Sequence, residues 1–230
     1  MNTLTERLQQ IRAQITKAET LYRRPAHSVT LLAVSKTRPI EDLVAACMAG
    51  QRDFGESYLQ DALPKITALQ DKPIYWHFIG PIQSNKTRAI AENFQWVHSV
   101  DRLRIAQRLS EQRPARLPPL NICLQVNISA DPAKAGVAAE QALGLALAIH
   151  NLPGLQLRGL MTIPTHTTDF EAQRVPFRAL RQLSQQIQQQ GIHLDTLSMG
   201  MSDDMTAAIA EGATLVRIGT AIFGARQPKK

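Results

Sequence analysis

The stretch VTLLAVSKT, residues 29–37, decides how this chain is read: an unbroken apolar run, LLAV, stops abruptly at Ser35, Lys36 and Thr37. A short apolar run without polar alternation suits a strand covered on both faces, as in a parallel sheet wrapped by helices. The runs ICLQV (122–126) and LVRI (215–218) repeat the pattern.

Working outward, strand-like segments are expected at 29–35, 52–55, 76–80, 96–100, 120–127, 156–163, 196–199 and 215–219. Helical patterns fall between them, at 39–50, 58–69, 84–93, 102–112, 138–151, 170–190 and 203–211. Glycine and proline mark the joints, and no low-complexity linker or second domain interrupts the rhythm. Eight such units admit a closed barrel or a large open doubly wound sheet. The count fits a single α/β domain over residues 1–230, a (β/α)8 TIM barrel, with an additional N-terminal helix left over. That helix, residues 3–21, carries Leu4, Leu8, Ile11 and Ile15 on one stripe, so it must cap the barrel or cover one side.

Apolar residues at 44% and charged residues at 20% exclude a disordered chain. A formal charge of +7 admits nucleic acid, a membrane surface or a phosphate-bearing small molecule as partner. The basic residues are scattered, from Arg23-Arg24 through Arg102, Arg104 and Arg108 to Lys229-Lys230, with no dense run, so no nucleic-acid partner is expected. Cys47 and Cys123 lie in separate apolar segments without metal or redox spacing and are read as buried thiols, with no metal site. The amphipathic start lacks the apolar core of a secretory signal, and no stretch has the length of a membrane span; a cytoplasmic protein that does not enter membranes is expected.

In such a barrel the chemistry lies at the carboxyl ends of the strands. Lys36 stands there directly after LLAVS, where an ammonium is costly to desolvate and a free amine is a nucleophile toward aldehydes. A lysine that snorkels from the rim or pairs with Glu56 is the competing reading. The run SMGMSDD (198–204) passes from a strand toward a helix start, where N–H groups and the hydroxyls of Ser198 and Ser202 could hold a phosphate. The strand LVRIGT brings Gly219 and Thr220 to the same end, and loops after the last two strands are where barrels commonly grip phosphate. Ser202-Asp203 as a plain N-cap is the alternative there. Strand alternation puts Arg217 on the same side as Gly219, facing the ligand or a buried carboxylate.

These residues fall in blocks that closely resemble the pyridoxal phosphate homeostasis protein family: AVSKT (33–37), FGESYLQD (54–61), WHFIGPIQSNK (76–86), VNIS (126–129), GLMTI (159–163), SMGMSDD (198–204) and VRIGTAIFG (216–224). The resemblance covers nearly the whole chain. It implies a barrel similar to the N-terminal domain of alanine racemase, with pyridoxal 5′-phosphate (PLP) as a Schiff base on Lys36. It further implies phosphate contacts from Ser198, Ser202, Gly219 and Thr220 with Met199 nearby, Arg217 at the ring nitrogen, and His77, Asn127 and Met161 along the remaining wall. Ser57 stands where the family's FGENY block has asparagine, and Lys134-Ala135-Gly136 replaces a KSG pattern. The implied role is PLP (vitamin B6) homeostasis inside the cell: PLP is held and handed to PLP-dependent apo-enzymes as recipients, by a monomer or weak dimer without catalytic residues. Racemases on this barrel use a tyrosine from a second, all-β domain, and no such domain is expected here. The rival reading is a PLP-dependent amino-acid racemase or related enzyme with His77 or Tyr58 as second proton carrier.

Overall fold

A computed structural model describes residues 3–225; Lys229, Lys230 and the outermost ends of the expected 1–230 domain lie outside the described residues. Helix α1 (Leu4–Leu21) starts at an N-cap that the sequence specifies. Thr3 Oγ1 accepts from the Glu6 N–H at 3.2 Å, and the Glu6 carboxylate accepts from the Thr3 N–H at 2.7 Å. This reciprocal pair satisfies two donors that would otherwise end the helix unpaired. Its apolar stripe of Leu8, Ile11, Ile15 and Ala18 is buried against α2 (Ile40–Met48), α8 (Met205–Ala210) and α9 (Thr220–Phe223), so the extra helix covers one side of the barrel.

The strands are β1 (Thr30–Val34), β2 (Asp53–Glu56), β3 (Tyr75–Phe78), β4 (Trp96–Val100), β5 (Leu120–Asn127), β7 (Leu155–Met161), β8 (Thr196–Ser198) and β9 (Leu215–Ile218). Each pairs in parallel with the next, and β9 pairs back onto β1, with Leu32 opposite Arg217, so the sheet closes into a barrel. The intervening helices are α2, α3 (Leu59–Ala68), α4 (Thr87–Asn93), α5 (Leu103–Gln112), α6 (Ala139–His150), α7 (Phe170–Gln188) and α8. Eight strand-and-helix units are therefore present as the alternation predicts.

Three details differ. A two-residue strand, β6 (Val137–Ala138), pairs onto the end of β5 beside the barrel. The helix expected from 203 begins at Met205, because the Asp204 carboxylate accepts the Met201 N–H at 2.5 Å and closes a turn ahead of it. Gly200 makes that turn at φ +96°, and a Cβ there would lie 2.6 Å from the Cβ of Ala208. Finally, α9 is a four-residue helix directly after Gly219, too short for its periodicity to be seen in sequence.

The main apolar core lies between the sheet and the helices, where Phe54, Phe94, Phe177, Leu43 and Ile90 are fully enclosed. Inside the barrel the filling is different. Leu32, Cys123 and Met161 share that space with His77, His98, Ser198 and Arg217, all buried and polar. Barrels are usually filled by layers of Val, Ile and Leu. Both cysteines are buried free thiols as expected, and burial pushes the Cys123 thiol up to about 12. Among the described residues no helix is long and apolar enough to cross a membrane.

Candidate functional site at the carboxyl mouth of the barrel

A cavity of about 200 Å³ opens at the carboxyl ends of β1, β2, β8 and β9. Its lining combines Lys36, Arg38, Arg217, Ser57, Ser202 and Thr220 with Val34, Ile79, Ile163 and Met201, and Gly219 forms part of its wall.

The backbone around Lys36 is held from both sides. Ser35 turns outward, and its carbonyl accepts from Lys65 Nζ at 2.9 Å, while its hydroxyl donates to Glu56 Oε1 at 2.7 Å. Lys65 and Glu56 in turn form a buried ion pair at 2.7 Å, with side-chain exposures of 7% and 0%. Burial drives the Glu56 carboxyl above its ordinary pKa even with the Lys65 ammonium in place, and its Oε2 has no hydrogen-bond partner. On the other side Thr37 adopts φ +63°, a left-handed conformation unusual for a β-branched residue. The pairing of Glu56 with Lys36 weighed above is not formed as an ion pair, since Glu56 takes Lys65 instead. Sequence reading missed Lys65; its position on α3 gave no hint that it reaches back to β1.

Arg217 projects into the barrel as alternation requires. Nη1 donates to the carbonyl and hydroxyl of Ser198 at 2.6 and 2.9 Å, and Nη2 donates to the Thr162 carbonyl at 2.9 Å. These partners are neutral oxygens rather than the carboxylate of the competing reading. Burial lowers its pKa to about 10, against the raising influence of Asp204, so it remains a cation at neutral pH. Arg38, also missed from sequence, lines the same cavity and bonds the carbonyls of Gly224 and Ala225. Gly80 lets the β3 end pass so close to Ser57 that a Cβ would lie 2.1 Å from the Ser57 carbonyl oxygen. An amine, two guanidinium groups and three hydroxyls thus surround a small space with apolar walls, suited to a flat molecule carrying an anionic tail and an electrophilic carbon.

The description "Alanine racemase, N-terminal domain" matches residues 7–227. The pyridoxal phosphate homeostasis protein of Pseudomonas aeruginosa is 59% identical over 98% of this chain and 97% of its own length. The chain belongs to the pyridoxal phosphate homeostasis protein family. The family's Escherichia coli K12 member is 49% identical, with both chains covered in full. A structure of PipY from Synechococcus elongatus PCC7942, with PLP bound, superposes with a TM-score of 0.85 at 37% identity, covering 96% of this chain and all of PipY. Alanine racemase from Corynebacterium glutamicum shares the fold alone, at 16% identity and TM-score 0.68, and this chain covers 61% of it.

Of the residues that the family resemblance implies, Lys36, Ser57, Ser202, Arg217, Gly219 and Thr220 come together around the cavity. Five do not line it. Ser198 sits beneath the cavity, bonded to Arg217 and His98, because it is the last inward residue of β8 and is covered by Arg217. Met199 points outward and is fully buried in the layer under the helices. Met161 is enclosed within the barrel at 1% exposure. Asn127 organises the following loop, donating to the carbonyls of Asp131 and Lys134 at 2.8 and 3.3 Å. His77 faces the opposite mouth, with Nε2 3.1 Å from Asp53 Oδ1. Tyr58, the other suggested proton carrier, is an exposed N-cap residue on the α3 side.

Proposed function

We propose that this chain binds PLP through Lys36 and serves PLP homeostasis in the cell as a holder of the cofactor rather than as a catalyst. The observation that carries this reading is the convergence of Lys36, Arg217, Ser202 and Thr220 on one small cavity. The Lys36 amine would attack the PLP aldehyde carbon and form a C=N bond, with the carbonyl oxygen leaving as water. The hydroxyls of Ser202 and Thr220, beside Gly219, would receive the phosphate. Arg217, a cation at neutral pH, would face the pyridine nitrogen and keep it unprotonated, which weakens PLP as an electron sink. Ser57 would contribute a hydroxyl of shorter reach than the family's asparagine, and Val34, Ile79 and Ile163 would flank the ring.

A non-catalytic role has its own support. Among the described residues lining the cavity there is no tyrosine, histidine, cysteine or carboxylate to carry a proton on the face opposite Lys36. PLP-dependent apo-enzymes are the recipients this reading names. Incubation of the loaded protein with amino acids in heavy water is expected to give no Cα deuterium exchange beyond that of free PLP. Exchange clearly above that background would establish the racemase-type alternative.

The phosphate assignment is open to a direct measurement. Each neutral hydroxyl contact contributes about 1 kcal/mol, so the Ser202→Ala/Thr220→Ala variant should raise the Kd for PLP by roughly 30-fold. Equilibrium dialysis reads this out, and an unchanged Kd would place the phosphate elsewhere.

A further inference from the structure

An unbroken hydrogen-bonded line crosses the inside of the barrel. Asp53 Oδ1 lies 3.1 Å from His77 Nε2, His77 Nδ1 lies 2.9 Å from His98 Nε2, and His98 Nδ1 lies 2.8 Å from Ser198 Oγ. Ser198 Oγ then accepts from Arg217 Nη1 at 2.9 Å. The members come from β2, β3, β4, β8 and β9. One end, Asp53, is part of a second opening at the amino ends of the strands, a cavity of about 300 Å³ also lined by Thr30, Trp96 and Thr196. The other end, Arg217, lines the Lys36 cavity.

Elementary chemistry gives this line a direction. The Asp53 carboxylate only accepts, so His77 donates to it from Nε2 and, as a neutral ring, leaves its Nδ1 bare. His98 then donates from Nε2 to His77 Nδ1 and leaves its own Nδ1 bare. A guanidinium only donates, so Ser198 accepts from Arg217 and gives its own proton to His98 Nδ1. With both rings neutral in this tautomer every contact is one donor against one acceptor. Reversing either ring alone would set two protons or two lone pairs face to face between the two rings, 2.9 Å apart, and protonating His77 would set two protons there. Burial favours the neutral rings, lowering both histidines, His98 the more strongly, with Asp53 opposing the shift at His77. Trp96 stacks on His77 with centroids 5.5 Å apart and planes 8° from parallel, holding that ring in the plane the line requires.

We infer that Asp53 is a positioning residue for Arg217, acting through His77, His98 and Ser198 from the opposite mouth of the barrel. The carboxylate polarises each bond in succession, so the line fixes the rotamer of Ser198 and with it the seat of the Arg217 guanidinium. Among the described residues no carboxylate is hydrogen-bonded to Arg217 directly, and the line is a bonded link from it to a negative charge. This inference deepens the PLP reading only in saying what the positioned arginine meets.

The test is made first without PLP. In ¹⁵N-labelled full-length protein, ring NMR is expected to show Nε2–H and bare Nδ1 at both His77 and His98. The Arg217 Nε resonance is expected to shift in Asp53→Leu and to return in Asp53→Asn, whose amide oxygen still accepts from His77. An Nδ1–H tautomer at either ring, or an Arg217 resonance that ignores Asp53→Leu, would overturn the inference. If Asp53→Leu does not fold, the tautomers of the wild type decide. With PLP added, the Kd is expected to rise about five-fold in Asp53→Leu and to stay within about two-fold in Asp53→Asn, a split that loss of stability alone does not produce. A wild type that binds no PLP would sink the functional reading, while the tautomers and the Arg217 shift would still judge the line.

Discussion

Replacing Lys36 with Ala is expected to abolish the yellow colour of the PLP-loaded protein, the absorption near roughly 420 nm that a lysine-linked cofactor gives. The expectation follows from position. Lys36 lies two residues past the end of β1, the preceding Ser35 carbonyl is pinned by Lys65, Thr37 turns away in a left-handed conformation, and Lys36 lines the cavity at the mouth. Among the described residues no second lysine lines the cavity. The variant removes a partly exposed side chain at the rim and should fold as the wild type does. PLP would then be held by phosphate and ring contacts only, and would wash out on dialysis. Borohydride reduction before digestion supplies the stricter measurement: the wild type should carry the label on the peptide containing Lys36, and Lys36→Ala should carry none. Label on another peptide, or a band surviving in Lys36→Ala, would refute the assignment.

The largest effect on stability is expected from Lys65→Met. It leaves Glu56, whose side chain is 0% exposed, without its ammonium partner, and breaking one side of a buried pair typically costs about 3–5 kcal/mol. It also takes the donor from the Ser35 carbonyl, so the residual folded protein should bind PLP less well. The pH dependence has a definite sign. Burial already raises the Glu56 pKa above that of the unfolded chain, and loss of Lys65 removes the main opposing influence. A native state that keeps its proton longer loses stability as pH rises from the unfolded carboxylate pKa through the folded one. The deficit of Lys65→Met should therefore be small in acid and full at neutral pH, when followed by urea denaturation. The double variant Glu56→Gln/Lys65→Met should recover much of it, because no charge is left buried. A neutral-pH deficit near zero in the single variant would show that the pair does not anchor this strand.

Much of this architecture could be read from the chain because it is local. LLAV, ICLQV and LVRI show no polar alternation, and each is a strand enclosed by sheet neighbours and helices. Thr3 and Glu6 announce the start of α1 three residues apart. Lys36, Ser202, Gly219 and Thr220 follow strands at the barrel's active end, so their convergence needed only closure of the sheet. What escaped depends on contacts between distant segments. Lys65 reaches Ser35 across 30 positions, and His98 reaches Ser198 across 100, with nothing in the intervening chain to signal either meeting. Arg38 carries no signal in its own neighbourhood, since the carbonyls it bonds, those of Gly224 and Ala225, lie 186 and 187 positions away.

The sequence alone determined the number of strand-and-helix units, the membership of the family and the face of the barrel wall to which each strand residue points. Tertiary structure alone decided height. Alternation has a period of two and separates inside from outside, but a closed barrel has two mouths, and the stagger between strands sets which one an inward side chain serves. His77 and Ile79 face the same interior, yet only Ile79 lines the Lys36 cavity, while His77 lies one step lower and bonds Asp53. Ser198 and Arg217 also share that interior. The long guanidinium reaches the cavity and the short hydroxyl stops beneath it, a difference of reach that counts only once the strands are in register.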